Sequence, residues 1–387
     1  MNAPLQQWIR RAWAVVSATP AALAMAALLI GAWLAWVAWR WAGAQRAHAG
    51  WAAGVTLAMG AFDAALLALL PRLGLSFGPV GLPLLGITGV RWIGTAALAW
   101  LGRRRLRGRG AGAMVALLVL AHLGVSACEY HGLYVEPFDV GVSTIQVTTA
   151  HPLPASPLRI VQISDLHVER ATQRELDVLR IVRELEPDLI ALTGDYMSTS
   201  YRDDPIARRD ARALFAQLEA PLGVYAVRAY YPDTPDVMAA LFQGLDIRVL
   251  YDEVVPVQTE AGALYVVGIQ YLTRPRDREM LAERMRLVPD GATSLLLYHT
   301  PDVIEVAAAE EVDLYLAGHT HGGQLRLPLF GALFTASTYG KRYEMGRYQV
   351  DETTLYVSRG LGMEGMGAPR ARFLCPPEIV VVELSQK

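Results

Sequence analysis

Aspartate and histidine side chains recur in this chain immediately after short apolar runs. They are Asp165, His167, Asp195, His299, His319 and His321. Asp165 and His167 are two residues apart, so both side chains can turn toward one centre and supply an oxygen and a nitrogen ligand. Asp195 follows Gly194, which permits a sharp backbone turn, and its carboxylate can bridge two cations. His319 and His321 lie in a glycine-rich segment, where a purely structural role is hard to justify.

The chemistry of these side chains indicates a metal site. Four of the eight histidines and two aspartates follow predicted strands of one region. Open α/β sheets place their ligand sites beyond the carboxyl ends of the strands, so these groups are expected to converge. A mixture of imidazole and carboxylate ligands suits divalent Mn, Zn, Fe or Ni better than Ca or Mg.

The elements that position these residues are predicted from short apolar runs separated by helical stretches. The predicted strands cover residues 159–163, 188–193, 224–227, 264–267, 294–298 and 314–317, and an amphipathic helix covers 175–186. This alternation is typical of an α/β fold with buried sheets.

The order Asp-x-His, Gly-Asp, a lone His and then Gly-His-x-His resembles the calcineurin-like metallophosphoesterases. The segment from Gly318 to Gln324, Gly-His-Thr-His-Gly-Gly-Gln, is highly specific in that context. Further segments at 134–137, 358–362 and 372–378 look like the membrane-anchored bacterial branch of that superfamily. The resemblance extends over about residues 130 to 385.

The resemblance implies a four-layer α/β/β/α sandwich with two divalent metal ions at the strand ends. It implies that the first metal is held by Asp165, His167, Asp195 and His321. It implies that the second is held by Asp195, His299 and His319, with Asp195 bridging. Two cations about 3.5–4 Å apart generate a bridging hydroxide and stabilise the phosphoryl oxygens of an in-line displacement. The implied activity is hydrolysis of a phosphoester or pyrophosphate bond.

The family's Gly-Asn-His-Asp motif, between Gly-Asp and the lone His, is absent from this sequence. In the family its asparagine ligates the second metal and its histidine contacts the phosphate or the leaving group. Here the strand 223–227 is followed by Arg228-Ala229-Tyr230-Tyr231-Pro232-Asp233. Either Tyr230 and Tyr231 replace the Asn and His, or the motif is deleted. Arg228 and Tyr231 are the candidates for compensating groups, and the alternative function is an impaired pseudoenzyme that binds a phosphorylated ligand.

The first third of the chain has the composition of a membrane unit. Four apolar stretches approach the roughly 20 residues that a helix needs to cross a bilayer. They run from Pro20 to Trp39, Trp51 to Leu70, Phe77 to Leu101 and Ala111 to Cys128. The expected organisation is therefore a multi-span helical region at 1–130, a linker at 131–157 and the phosphoesterase domain at 158–387.

The arginines predict the orientation of this unit. Five of them lie between Arg103 and Arg109, in the loop before the fourth span, and short loops rich in Lys and Arg stay cytoplasmic. The phosphoesterase domain is therefore expected outside the cytoplasm of a multi-pass inner-membrane protein, although an error of one span would reverse this. Asp63 and Arg91, at membrane depth, fit a structural ion pair, a water-facing position in an imperfect helix or a transport role.

The expected partners are the lipid bilayer and a phosphorylated small-molecule or lipid substrate. The formal net charge is -2, so the chain lacks the basic excess that nucleic-acid binding requires, and no nucleic acid is expected. The two cysteines, Cys128 and Cys375, are too few for a disulfide framework.

Overall fold

A computed structural model of the chain describes residues 46–78, 80–102, 109–272, 274–364 and 370–387. The chain divides into two compact units. The first comprises residues 1–134 and 365–370, and the second comprises residues 135–364 and 371–387.

The first unit is helical where the structure describes it. Its helices are α1 Arg46–Leu69, α2 Gly81–Gly102 and α3 Arg109–Tyr130. Trp51, Ile93 and Leu120 are among the large apolar side chains exposed on their surfaces. The stretches Gly50–Leu69 and Ala116–Phe138 are long and apolar enough to cross a membrane, by length and composition alone.

The four predicted spans fare differently. The first, Pro20 to Trp39, lies outside the described residues. The second and fourth overlap the two membrane-length stretches, while the third coincides with α2, which does not meet the same criterion in the described part of the chain. Four spans therefore remain a prediction.

A polar cluster lies inside the first unit. The guanidinium of Arg91 donates from Nε to Oδ2 of Asp63 at 2.7 Å and from Nη2 to Oδ1 at 2.6 Å. It also donates to the hydroxyl of Ser126 at 2.7 Å and to the carbonyl of His122 at 2.9 Å. Asp63 and Arg91, both buried, thus form an ion pair, which was one of the expectations for them.

The second unit contains two mixed sheets. In the described residues each has six strands, in the orders β1-β14-β2-β3-β4-β5 and β12-β13-β9-β8-β7-β6. The strands of the first are β1 Gly141–Thr149, β2 Leu158–Ile163, β3 Leu189–Leu192, β4 Val224–Val227, β5 Arg248–Leu250 and β14 Glu378–Gln386. Those of the second are β6 Glu253–Thr259, β7 Gly262–Gly268, β8 Ser294–Leu297, β9 Leu314–Ala317, β12 Gly346–Val350 and β13 Thr353–Val357. A short hairpin joins β10 Arg326–Leu327 to β11 Gly331–Ala332.

Helices cover the outer face of each sheet. They are α4 Gln173–Leu185, α5 Pro205–Phe215 and α6 Pro235–Phe242 on the first sheet, and α7 Arg274–Met285 and α8 Ile304–Ala309 on the second. Because successive side chains of a strand point to opposite faces, Ile160 packs between the two sheets while Val161 packs under the helices. The central strands are buried on both faces and are therefore continuously apolar. The α/β prediction is confirmed.

The segment expected to be a linker, 131–157, differs from that expectation. It contains β1, which pairs in parallel with β14 from Gly141↔Glu378 to Thr149↔Gln386. Residues 141–149 are rich in Val, Ile and Thr, whose branched side chains favour a pleated, half-buried strand. The second unit therefore begins well before Leu158.

Candidate metal centre

Two loops that leave neighbouring parallel strands run side by side at one edge of the first sheet. Asp165 and His167 follow β2, and Asp195 follows β3. The amide of Asp165 donates to the carbonyl of Gly194, and the amide of His167 donates to the carbonyl of Asp195, both at 3.0 Å. These backbone bonds fix the two loops against each other and bring their side chains to one place.

The backbone of this edge is unusual. Five of the six predicted site residues have positive φ angles: Asp165 51°, His167 45°, Asp195 54°, His319 70° and His321 51°. Such angles are uncommon in residues other than glycine, and they cluster at functional sites, where the surrounding structure supports the strain. The loops are thus shaped to aim these side chains at a common centre.

The first ligand group contains Asp165, His167, Asp195 and His321. All four are buried, and one donor atom from each lies within 4.8 Å of the others. Nε2 of His167 lies 3.0 Å from Nε2 of His321 and 3.4 Å from Oδ2 of Asp195. Nε2 of His321 lies 3.5 Å from Oδ1 of Asp165.

The second ligand group contains Asp195, His299 and His319, again within 4.8 Å. Nε2 of His299 lies 2.9 Å from Nδ1 of His319 and 3.5 Å from Oδ2 of Asp195. Nδ1 of His299 lies 2.8 Å from the carbonyl of Thr193, to which it donates, so Nε2 is the ring atom turned toward the group. Asp195 belongs to both groups.

The donor atoms fit bound cations. Within each group two ring nitrogens face each other across about one hydrogen-bond length, yet a ring nitrogen turned toward a cation needs its lone pair and not a proton. In the described part of the chain, Nδ1 of His167, Oδ1 of Asp195 and Nδ1 of His321 are buried with no hydrogen-bond partner. Buried polar atoms normally find partners, so the unpartnered Oδ1 of Asp195, a residue of both groups, indicates a ligand site. The two Nδ1 atoms lie on the sides of their rings away from the facing Nε2 atoms.

The electrostatics of the site push neighbouring groups in opposite directions. Burial alone raises the pKa of Asp195, but the imidazoles of His299 and His167 outweigh it and hold this pKa well below its usual value. Burial alone lowers the pKa of His299, but the carboxylate of Asp195 outweighs it and raises this pKa to about 9. Burial, reinforced by His167, keeps the pKa of His321 well below its usual value. The site therefore holds the ionised carboxylate of Asp195 beside a neutral His321.

Glycines are required where other chain segments approach the ligand loops. A Cβ on Gly318 would lie 2.2 Å from Oδ2 of Asp165, and one on Gly362 would lie 2.2 Å from the carbonyl oxygen of Leu166. Arg372 is buried and donates to the carbonyl groups of Gly360 and Gly362, which holds the second of these segments in place.

The segment after β4, Arg228 to Asp233, occupies the place of the missing family motif. A Cβ built on Gly194 would lie 2.7 Å from Nδ1 of His299 and 3.2 Å from the Cβ of Ala229. The methyl group of Ala229 therefore lies beside the second ligand group. A methyl group offers neither a metal ligand nor a proton.

The two candidates for compensating groups are engaged elsewhere. Arg228 donates from Nε to the carbonyl of Asp233 at 2.6 Å and from Nη1 to Gln270 at 3.3 Å. The guanidinium of Arg202 lies over the ring of Tyr231, with its Cζ atom 5.0 Å from the centroid of that ring. These contacts give each side chain a role in shaping the loop.

Sequence reasoning missed Asp233, which supports the bridging residue. Its buried carboxylate accepts from the amide of Asp195 at 2.7 Å and from the amide of Tyr196 at 3.1 Å. Burial, reinforced by Asp195, raises the pKa of Asp233 to about 7. Its position two residues after Tyr231 gave no signal of this contact.

Glu364 was also missed. One of its carboxylate oxygens lies 3.7 Å from Nδ1 of His167 and accepts from the amide of Thr199 at 2.7 Å. A carboxylate behind a metal-binding imidazole commonly fixes the orientation of the ring. Glu364 follows a glycine-rich segment with no motif of its own.

Comparison with known proteins gives a consistent result. Residues 158–323 match the family described as calcineurin-like phosphoesterase. An uncharacterized metallophosphoesterase of Bacillus subtilis, YkuE, is 32% identical over 264 residues, which cover 61% of this chain and 85% of the relative. The phosphodiesterase YaeI of Escherichia coli is 31% identical over 243 residues, covering 59% and 83%. A Bos taurus protein named as a transmembrane protein with a metallophosphoesterase domain is 31% identical over 249 residues, covering 58% and 53%.

Proposed function

This chain belongs to the calcineurin-like phosphoesterase family and is a metallophosphoesterase. We propose that its strand-end ligand groups bind two divalent cations and that the protein uses them to hydrolyse a phosphodiester or pyrophosphate at a membrane. The observation that carries the proposal is the position of Asp195, whose carboxylate is shared by both ligand groups. A shared carboxylate sets two cations at the short separation that phosphoryl transfer requires.

Each ligand has a defined part in this proposal. Asp165, His167 and His321 would hold the first cation, and His299 and His319 would hold the second, with Asp195 shared by both groups. The carbonyl of Thr193 keeps the proton of His299 on Nδ1, so Nε2 is available as a ligand. Asp233 holds the backbone of Asp195 in its left-handed conformation, which keeps the bridging carboxylate directed between the two groups. When bound, two such cations activate a water and neutralise charge on the phosphoryl oxygens.

The segment after β4 lacks the imidazole that the family places near the leaving group. Ala229 lies beside the second ligand group, and its methyl group cannot protonate an alkoxide. General acid catalysis contributes roughly 10² to 10⁴ in rate, so this absence selects for substrates with good leaving groups. Phosphoanhydrides and activated diesters meet that requirement, and unactivated alkyl esters do not. The alternative of a catalytically impaired protein that binds a phosphorylated ligand rests on the same missing Asn-His pair.

Membrane association is suggested by the two membrane-length stretches and by the transmembrane relative. We propose further that the first unit crosses the membrane several times and that the phosphoesterase unit lies outside the cytoplasm. The arginine-rich segment 103–109, just before α3, supports this orientation. Reporter fusions after Arg107 and Glu136 test it, and a cytoplasmic signal at Glu136 would contradict it.

The test of the activity uses the full chain, purified in detergent and supplied with Mn²⁺, and an aryl phosphodiester as substrate. Turnover that depends on the added metal and is lost in the Asp195→Asn variant is expected. The matched control is Asp313→Asn, which alters a carboxylate that pairs with His151 away from the ligand groups. Equal turnover by the unaltered chain and the Asp195→Asn variant would show that the hydrolysis takes place elsewhere.

A further inference from the structure

A hairpin of exposed apolar side chains follows the His321 loop. It comprises residues 326–334, called here the apolar hairpin, in which β10 and β11 pair with the register Arg326↔Ala332. Its exposed side chains are Leu327, Leu329, Phe330, Leu333 and Phe334. Phe334 is 75% exposed and Leu329 is fully exposed, at 109% of its reference area. Scattered exposed apolar residues are normal on a protein surface, but a contiguous set marks an interaction site.

Leu329 in particular contradicts two local preferences. Its side chain is completely exposed to solvent. Its backbone has a φ angle of 65°, which asparagine, aspartate or glycine adopts far more readily than leucine. A polar residue would therefore be favoured in water at this position. A leucine at this position is favoured if the tip of the hairpin contacts an apolar environment.

The base of the apolar hairpin is firmly attached to the candidate metal centre. Arg326 donates from Nη1 to the carbonyl of Gly322 at 2.7 Å and pairs through Nη2 with Glu344 at 2.8 Å. A Cβ on Gly323 would lie 2.4 Å from the Cβ of Ala332, so the hairpin packs directly on the turn that contains His321. The position of its tip is therefore coupled to the position of the site.

Positive charge accompanies the apolar side chains. The ammonium of Lys341 lies 3.8 Å from the centroid of the Phe330 ring and donates to the carbonyl of Phe330. Between residues 324 and 349 the basic side chains are Arg326, Lys341, Arg342 and Arg347, against the single acid Glu344. Apolar tips flanked by basic side chains are typical of surfaces that enter the interface of an anionic bilayer.

We propose that the apolar hairpin inserts into the surface of an anionic phospholipid bilayer and presents the metal centre to phosphoesters or pyrophosphates carried by membrane lipids. The bilayer is the occupant that the chain favours, because the same polypeptide carries stretches of membrane-spanning length. This inference rests on the proposed function and narrows its substrate class to lipid-linked phosphates. The insertion itself is tested without reference to catalysis.

The insertion test uses the full chain in nanodiscs of phosphatidylcholine and phosphatidylglycerol. Cys128→Ser removes the exposed thiol, Cys375 is buried, and Leu329→Cys provides one site for an environment-sensitive fluorophore. The matched control is Leu176→Cys, since Leu176 is also an exposed leucine of the second unit. Blue-shifted emission that lipids with spin-labelled acyl chains quench is expected for Leu329→Cys alone. An emission wavelength equal to that of the control, typical of a fluorophore in water, would overturn the proposal.

A second result would also overturn it. If the fluorophore at Leu329→Cys is shielded from water but is not quenched by the spin-labelled lipids, the occupant is protein. Oxidative cross-linking between two copies through the same cysteine would then identify that occupant as a second copy of this chain.

The substrate arm compares Leu329→Asp with the unaltered chain. A roughly tenfold or greater loss of turnover on a lipid pyrophosphate in vesicles is expected, with turnover of a soluble aryl phosphodiester changed less than about twofold. Equal loss on both substrates would contradict a role in lipid presentation. If neither substrate is turned over by the unaltered chain, the proposed function has failed, while the fluorescence measurement still decides the insertion.

Discussion

The two units each bury a cluster of ionisable side chains, and the clusters are organised in opposite ways. In the first unit the guanidinium of Arg91 directs its N–H groups at the carboxylate of Asp63, the hydroxyl of Ser126 and the carbonyl of His122. In the second unit the ring nitrogens of His167 and His321 face each other, and an oxygen of Asp195 has no hydrogen-bond partner among the described residues. The pair of Asp63 and Arg91 has its hydrogen bonds made within the protein, whereas the second cluster has the unmet lone pairs of a ligand site.

The difference shows how to distinguish structural from functional burial of charge. A buried ion pair with its hydrogen bonds made costs desolvation but leaves little for a ligand to gain. A buried set of ligand atoms whose lone pairs accept no hydrogen bond can instead gain free energy when a cation binds. The first cluster is not perfect, since Glu129 lies 3.5 Å from Arg91 and both its carboxylate oxygens lack hydrogen bonds in the described part of the chain. Its centre, the pair of Asp63 and Arg91, is nevertheless closed.

The largest expected effect concerns stability in the absence of metal. Arg91→Met leaves Asp63 buried without its partner and is expected to destabilise the full chain by about 3–5 kcal/mol. Asp195→Asn removes a charge from the second cluster and is expected to lower the metal-free stability less than Arg91→Met does, because an amide remains able to accept hydrogen bonds there. Thermal unfolding of both variants in detergent with a chelator makes the comparison.

The control for this prediction is the double variant Asp63→Asn with Arg91→Met. Removal of both charges is expected to recover part of the stability that Arg91→Met loses, because no unpaired charge remains. If Asp195→Asn is the more destabilising of the two single changes, the site is structural and the comparison is mistaken.

A second prediction restores what the segment after β4 lacks. Replacing residues 229–232 by Gly-Asn-His-Asp places the family's amide and imidazole at the positions of Tyr230 and Tyr231. A rate increase of about 10² on poor leaving groups is expected, with little gain on activated aryl diesters. Steady-state kinetics with paired alkyl and aryl diesters measures it. Equal gains on both substrates would mean that metal binding, and not leaving-group protonation, limits the native chain.

A third prediction concerns pH. The carboxylate of Asp195 raises the pKa of His299 to about 9, against an ordinary value of 6.5. In the metal-free protein this interaction stabilises the fold fully below pH 6.5 and is lost as pH rises through about 9. Metal binding needs the neutral imidazole, so apparent affinity at the second group is expected to fall about tenfold per pH unit below pH 9. Calorimetric titration in two buffers of different ionisation enthalpy measures the released proton, and binding without proton release would refute the assignment.

The sequence predicted the scaffold of the site well and its supports poorly. The strands β4 and β9 have the predicted bounds, and the strands that precede the predicted ligands end two or three residues before them. These strands were predictable because a continuous apolar run bounded by polar residues indicates a strand buried on both faces of its sheet. Asp165 and His299 follow strands of different sheets. Their strand-end positions predicted that they converge, but the division into two ligand groups came from the family resemblance.

The supports depended on long-range contacts that no local pattern reports. Asp233 acts through the backbone amide of a residue 38 positions earlier, and Glu364 approaches His167 from a distant loop. The left-handed angles of the ligands arise because packed loops impose them, while the side chains themselves disfavour them. β1 was taken for a linker because its pairing partner, β14, lies at the other end of the chain.

The most direct test is a titration of the full chain with Mn²⁺, carried out on the unaltered protein and on the Asp195→Asn variant. Calorimetry measures the binding, and elemental analysis after gel filtration counts the ions retained per chain. The account predicts two ions per chain in the unaltered protein and weakened binding at both sites in the variant, because one carboxylate belongs to both ligand groups. His319→Ala, as the matched control, is predicted to weaken the second site alone. A folded chain that retains no ion under these conditions, or a variant that still binds two ions with unaltered affinity, would contradict the account.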